Sequence, residues 1–254
     1  MNHIECSTAD GVLTISFNRP DRKNSITGLM YGRLTDAMNS AREDGEVRSV
    51  LIEGSRDIFS AGNDVGEFLS DPPLDPSAAA FGFLRTIAEF PKPIVAAVCG
   101  AAVGVGSTML FHCDLVYASE DAIFSMPFID LGLCPEAGSA LLAPQMFGYH
   151  KAAEALLLGD PISAASALTL GMVNRVLPLA EVSPFARAQA VRLAGKPLSG
   201  LLETKRLMKG HQQSFLKAQM EEEVRSFIDM LKGPAAREAF SAFAQKRKPD
   251  FSRY

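Results

Sequence analysis

Short β-branched runs alternate along most of this chain with stretches whose apolar residues recur at helical spacing, a pattern that belongs to βα units. Val12 to Phe17 alternates and reads as a strand. Thr27 to Asp44 carries Met30, Leu34 and Met38 at four-residue spacing and reads as a helix. Further strand-like runs are Ser49 to Gly54, Pro93 to Gly100, Asp114 to Ser119, Ala122 to Pro127 and Met172 to Pro178, most stopping at Gly, Ser or Pro. Helices are expected between them, over Ala80 to Phe90, Gly106 to His112 and Lys151 to Leu158. Units of this size imply parallel strands joined by right-handed crossovers. From about Ser183 the strand signal stops. Pro184 to Ala194, Leu198 to His211, Phe215 to Leu231 and Ala235 to Lys246 are helical in pattern, so an α/β body with a helical C-terminal extension is expected. The Pro-rich, polar stretch Ser70 to Ala80 reads as a surface loop, either a plain connector or a lid beside a site.

With 254 residues the chain can bury the core of one large domain, or of one domain with a small appendage. A net charge of −4 gives no electrostatic reason to expect a nucleic acid or an anionic membrane as partner. No apolar run approaches the ~20 residues of a bilayer span. The stretch MNHIECSTADGV lacks a basic segment followed by an apolar one, so no secretion signal is expected. Cys6, Cys99, Cys113 and Cys134 form no C-x-x-C pair and are expected to be buried, reduced thiols in a cytosolic protein. His3, His112, His150 and His211 lie far apart without ligands at metal-binding spacing, so no metal site is expected.

Two glycine-containing turns concentrate the chemical interest. FSAGNDV, Phe59 to Val65, follows a strand-like run, and CGAAVGVGSTML, Cys99 to Leu110, follows PIVAAV and opens an apolar helix. Glycine at such a turn lets backbone approach a ligand and leaves amides pointing at it. Gly100, Gly104 and Gly106 do not fit the dinucleotide spacing G-x-G-x-x-G, and no Walker lysine is present. Tight helix–strand packing is the plain alternative for both turns.

NRPDRKNSI, FSAGNDV, KPIVAAVCGAAVGVG, CDLVYAS, AIFSMPFIDLGLCPEAG and AFSAFAQKRKPDF, in that order, resemble the crotonase superfamily. Its best-known members are enoyl-CoA hydratases and enoyl-CoA isomerases. The resemblance runs nearly end to end. It implies an α/β fold, a crotonase-like spiral of ββα units with a helical C-terminal region. Residues 1–190 would form the core with the CoA and active sites, and residues 191–254 a helical oligomerisation region. The implied ligand is an acyl-CoA thioester, with no separate cofactor because coenzyme A is part of the substrate. By similarity, the backbone N–H groups of Asn63 and Val105 would hold the thioester oxygen. Ala61, Asp64 and Val65 would line the adenine and pantetheine cleft, and Arg22 and Lys23 would lie near the CoA phosphates. Phe243 and Lys246 match residues that touch CoA, often across a subunit boundary. Each basic residue also reads as an ordinary solvated charge.

Departures from the family pattern bear on the reaction. Hydratases of this family carry one glutamate three residues after the oxyanion position and another after the proline of F-x-x-P. Thr108 and Phe128 occupy those places here, and neither side chain can activate water. Glu136, in LCPEAG, resembles instead the lone base of the fungal and peroxisomal Δ3,Δ2-enoyl-CoA isomerases. One carboxylate can take a proton from C2 and return it at C4. Phe128, Met126, Leu131 and Leu133 could wall an apolar acyl pocket together with Thr108, and raise the pKa of Glu136. On residue pattern alone, Glu136 also reads as a carboxylate favoured at a helix N-terminus. Asp130 is the competing base, expected to point away from the pocket, and Asp64 is a third acid whose family place is the CoA cleft.

The expected activity is therefore an enoyl-CoA isomerase, with an atypical hydratase or an inactive acyl-CoA-binding homologue as alternatives. A homotrimer or dimer of trimers is expected, because Leu201, Leu202, Leu207, Met208, Phe215, Phe227 and Ile228 exceed what a small appendage could bury. The expected location is the cytoplasm, with neither nucleic acid nor membrane as partner.

Overall fold

A computed structural model describes residues 3–254; Met1 and Asn2, which begin the stretch read for a secretion signal, lie outside the described residues. In chain order the strands are β1 (Ile4–Ala9), β2 (Val12–Phe17), β3 (Ser49–Glu53), β4 (Ile58–Ser60), β5 (Ile94–Val98), β6 (Ala101–Val103), β7 (Leu115–Ser119), β8 (Ile123–Ser125), β9 (Ile162–Ser163) and β10 (Arg175–Leu177). The helices of the first half are α1 (Gly28–Glu43), α2 (Val65–Ser70), α3 (Ala79–Ala88), α4 (Val105–Thr108) and α5 (Ser139–Phe147). There follow α6 (Tyr149–Ala153), α7 (Ala164–Thr169), α8 (Leu179–Ala194), α9 (Leu198–Gly210), α10 (Gln213–Leu231) and α11 (Pro234–Ala244).

Six strands pair in the order β1-β2-β3-β5-β7-β10, and four in the order β4-β6-β8-β9. All pairings are parallel except β1 with β2 and β8 with β9. Each of the pairs β3–β4, β5–β6 and β7–β8 therefore sends its first strand to one sheet and its second to the other before a helix follows. This is the ββα spiral. Glycine makes the corner possible. A Cβ on Gly100, whose φ is +64°, would lie 2.1 Å from the Asp57 carbonyl oxygen, so only glycine lets β5 swing into β6 there. The sequence reading ran from PIVAAV straight into a helix. The structure inserts β6, three small residues hidden within the glycine cluster.

The parallel strands of the larger sheet are covered on both faces, which is why they read as unbroken apolar runs. On one face Val182, Ala186, Ala190 and Ala194 of α8, four residues apart, lie on Val12, Leu51, Val95 and Ala97. The alanines let the helix sit close to the sheet. On the other face Met30, Leu34 and Met38 of α1 pack with Ile15, Val50 and Ile52. Two expected helices are interrupted: Gly106 to His112 is α4 followed by a 3-10 turn, and Lys151 to Leu158 ends in a π-helical turn. Of the cysteines, Cys99 is buried, but Cys6 is exposed on edge strand β1, against the expectation of burial.

Helix α10 joins the main core through Leu216, Met220, Val224, Phe227, Ile228 and Leu231. Phe227 and Ile228, read from sequence as faces awaiting another subunit, are covered within the chain, while Leu207, Met208 and Phe215 remain exposed. The Phe227 ring meets Phe68 of α2, Phe81 of α3 and Phe128 edge-on, at centroid separations of 6.3, 6.1 and 6.5 Å. Through Phe227, α10 packs against α2, α3 and the segment that carries Phe128. Among the described residues no helix is long and apolar enough to cross a membrane.

Candidate active site

Asn63 lies just beyond β4, paired in parallel with Ile26. The Ile26 N–H donates to the Gly62 carbonyl at 2.8 Å, and the Asp64 N–H donates to the Ile26 carbonyl at 2.9 Å. With the flanking peptides turned toward Ile26, the Asn63 N–H points the other way, and no acceptor among the described residues takes it. Val105 begins α4, where a first-turn N–H has no intrahelical acceptor. The Ser107 and Thr108 amides both donate to the Gly104 carbonyl at 2.9 Å, and the Val105 N–H has no protein acceptor among the described residues.

Glycine brings the two turns together. A Cβ on Gly62, at φ +85°, would lie 2.6 Å from the Val103 carbonyl oxygen, and one on Gly106 would lie 2.8 Å from that of Ser60. Gly104 is at φ +55° and ψ −123°, a conformation essentially reserved for glycine. The free amides of Asn63 and Val105 thus belong to two loops in backbone contact.

Glu136 reaches the same place. Thr108, three residues and hence about 4.5 Å along the helix from Val105, is fully buried and donates its hydroxyl to the Glu136 carboxylate. Glu136 is itself 3% exposed, and burial pushes its carboxyl up to about 8, aided by the nearby charge of Glu223 and opposed by the Thr108 hydroxyl. Tyr31 of α1 is buried and donates to the Asn63 side-chain oxygen. Its phenol is held well above the usual range, first by burial and then by the charges of Glu136 and Glu67. Asn63 is thus joined to Tyr31 and Thr108 to Glu136, and Glu136 lies near enough to Tyr31 for its charge to act there.

Two cavities of about 300 Å³ adjoin these residues, one at Tyr31 and one at Ala137 beside Glu136. One lies beneath the Pro-rich loop, bounded by Ile26, Tyr31, Phe68, Pro72 and Leu74. The other runs between α3 and α10, bounded by Phe81, Leu84, Ala137, Leu216 and Val224. The Ser70 to Ala80 stretch thus walls a cavity instead of merely linking two helices. Met126 and Phe128 are buried, as an apolar pocket requires, and Phe128 is in the Phe227 cluster. Asp130 is exposed on a 3-10 turn, outside this group.

The remaining sequence-predicted residues sort by location. Arg22 and Lys23 are exposed. The Lys23 carbonyl accepts from the Ala61 N–H at 2.9 Å, so the NRPDRK turn is joined to Ala61 and, through Arg19, to Asp64, the residue before Val65. Asp64 is occupied: it pairs with Arg19 at 2.5 Å and caps α2 through the Glu67 N–H at 3.1 Å. Phe243 and Lys246 are exposed at the end of α11, and no hydrogen bond among the described residues joins them to residues 61–65. Sequence reasoning passed over four site residues: Arg19, Tyr31, His112 and Glu223. For Glu223 a signal existed. It falls on the stripe Leu216, Met220, Phe227, where an acid is out of place.

Replacing Thr108 by valine tests the site's electrostatics. Losing the hydroxyl that favours the Glu136 carboxylate should raise the pH at which Glu136 ionises. The expected result is a several-fold lower kcat/KM near pH 7, recovering at higher pH, read from a pH–rate profile.

The sequence profile described as enoyl-CoA hydratase/isomerase matches residues 7–253. The chain is 38% identical to enoyl-CoA delta isomerase 2 of Rattus norvegicus over 87% of its own length and 58% of that protein's. It is 32% identical to a probable enoyl-CoA hydratase of Bacillus subtilis, over 99% of each chain. The crystal structure of an enoyl-CoA hydratase/isomerase from Pseudoalteromonas atlantica superposes with a TM-score of 0.94 at 35% identity, covering 99% of this chain and 100% of that one. The chain spans just over half of the rat relative and nearly all of the bacterial ones. It belongs to the enoyl-CoA hydratase/isomerase family, with the crotonase fold and an acyl-CoA thioester as the consistent class of substrate.

Proposed function

We propose that the protein is an enoyl-CoA isomerase that moves a 3-enoyl-CoA double bond to the 2-position. One observation carries this reading: Glu136 is a buried carboxyl, raised to about 8, hydrogen-bonded to Thr108 in the same short helix as Val105, whose N–H has no protein acceptor among the described residues. The Asn63 and Val105 amides would receive the thioester oxygen as it becomes an enolate, each contributing about 3 kcal/mol to the transition state. Glu136 would remove a proton from C2 and return it at C4. A base poised near neutrality can do both, because the carboxylate accepts readily and the acid it becomes gives the proton back.

Hydration would need a further acid–base group facing the substrate. Thr108 and Phe128 stand where family hydratases carry theirs, and the carboxylate of Glu223 is committed to the amides of Gly138 and Ala140. Coenzyme A would arrive as part of the substrate, along the edge that carries Arg22, Lys23, Ala61, Asp64 and Val65, with no other cofactor. Absorbance assays with 3-enoyl-CoA and 2-enoyl-CoA thioesters decide. Double-bond migration without water addition is expected, and brisk hydration of 2-enoyl-CoA with no migration would sink the proposal.

Assembly as a trimer or dimer of trimers is part of the same reading. The exposed Leu207, Met208, Phe215 and Phe243 are the surfaces that favour it. Light scattering at micromolar concentration should give a mass at least three times that of the chain; a monomer would rule this out.

A further inference from the structure

Glu223 is the third of three consecutive glutamates on α10. Glu221 and Glu222 are exposed, whereas Glu223 is 4% exposed. Acids buried this far are rare unless paired with a cation, and no ion pair to Glu223 exists among the described residues. Its carboxylate instead accepts from the Gly138 N–H at 2.6 Å and the Ala140 N–H at 3.0 Å, with the Gln219 amide at 3.5 Å.

Those two amides belong to the turn that carries Glu136. The turn is in an unfavourable conformation. Ala137 sits at φ +62° without being a glycine, and Gly138 at φ +71°. A strained backbone of this kind persists only where its surroundings hold it. Here the His112 ring donates to the Ala137 carbonyl at 2.8 Å, the Ser139 hydroxyl donates to the Glu136 carbonyl, and Glu223 takes the two amides. His112 is kept neutral, its pKa lowered to about 3 by burial and by Lys209.

We propose that Glu223 is a positioning residue acting through Glu136: it fixes the strained turn and, by its charge, sets the pH at which Glu136 works. This rests on the reading of Glu136 as the base. Burial raises the Glu223 carboxyl to about 7, so it ionises across the range in which Glu136 must give up its proton, and its charge opposes that loss. The charged groups lining the cavity beside this turn are Arg85 of α3, Glu89 just beyond it, and Lys217, Glu221 and Arg225 of α10. None of them pairs with either glutamate, among the described residues. Cys134, Tyr31 and His112 complete the surroundings, and Lys209 faces His112 from behind.

Two variants separate charge from geometry. Glu223→Gln keeps the length and one of the two acceptor oxygens but removes the charge, so its readout is the pH of the limb and not kcat. It should move the rising limb of kcat/KM against pH down by about half a unit or more, which is roughly threefold more activity on the acid side of the limb. Glu223→Asp keeps the charge but withdraws it from the amides. It should leave the limb in place and lower kcat by roughly tenfold to a hundredfold. Carboxyl-carbon NMR of glutamate-labelled protein, with the Glu136 signal identified by its loss in Glu136→Gln, reads the same titration without substrate.

A Glu136 signal that titrates in Glu223→Gln where it does in wild type overturns the proposal. If Glu223→Gln does not fold, Glu223→Asp decides, and wild-type kcat in that variant overturns it equally. Wild-type protein with no isomerase activity would remove the base assignment alone, and the NMR titration would then decide whether Glu223 controls Glu136.

Discussion

Glu136→Gln is expected to lower kcat for 3-enoyl-CoA isomerisation by roughly a hundredfold to ten-thousandfold while leaving CoA-ester binding nearly unchanged. Glutamine keeps the volume and can still accept from the Thr108 hydroxyl, so the loss reports on proton transfer and not on packing. Asp130→Asn should be near wild type, because Asp130 is exposed and outside the group formed by Asn63, Tyr31, Thr108 and Glu136. Full activity in the Gln variant with loss in the Asn variant would make Asp130 the base.

The same substitution should stabilise the fold, and the sign follows from the raised pKa. A carboxyl that ionises near 8 when folded and near 4.5 when unfolded binds its proton more tightly in the folded state. Its contribution to stability is complete below about pH 4.5 and is lost as pH rises through about 8. Each pKa unit corresponds to about 1.4 kcal/mol, so the loss amounts to a few kcal/mol at most. Glu136→Gln should therefore melt close to wild type at pH 5 and several degrees above it at pH 9. Scanning calorimetry at the two pH values checks this, and equal melting at both would show that Glu136 is not held as a buried acid.

The second large effect concerns a backbone group. Asn63→Pro is expected to lower kcat/KM by at least a hundredfold, since proline removes the N–H that would meet the thioester oxygen. Asn63→Ala retains that N–H and should keep most of the activity. The structure attaches a stability cost to the alanine variant: the buried Tyr31 hydroxyl loses its acceptor, which costs about 1–3 kcal/mol. The alanine protein should thus melt lower yet remain active at 25 °C. Far-ultraviolet circular dichroism confirms that the proline variant folds. Alanine as damaging as proline in kcat/KM would shift the role to the Asn63 side chain.

Much of this protein is legible along the chain. Met30, Leu34 and Met38 at helical spacing gave α1, and Thr27 caps it by accepting from the Met30 N–H. The apolar runs at Ser49, Pro93 and Asp114 became the parallel strands β3, β5 and β7 because strands buried on both faces need no polar alternation. The glycines of FSAGNDV and CGAAVGVG marked where backbone meets backbone, since a Cβ at Gly62 or Gly106 would collide with the opposite loop. These are local signals: period, propensity and the absence of a side chain act within a few residues of where they are read.

What only the tertiary structure decided is which distant residues share a volume and how much water they keep. No spacing announces that Thr108 donates a hydrogen bond to Glu136, 28 residues away, or that Glu223, 85 residues beyond Gly138, accepts from the turn that follows Glu136. Glu221, Glu222 and Glu223 are identical in type, and the helical rotation of about 100° per residue puts two in water and one against the core. Phe227 and Ile228 likewise looked like surface for a partner until α10 folded onto the chain's own helices. Burial is the physical reason in each case. The desolvation that raises the carboxyl of an ordinary glutamate to about 8 comes from the elements packed around it, and a sequence records those elements without saying where they meet.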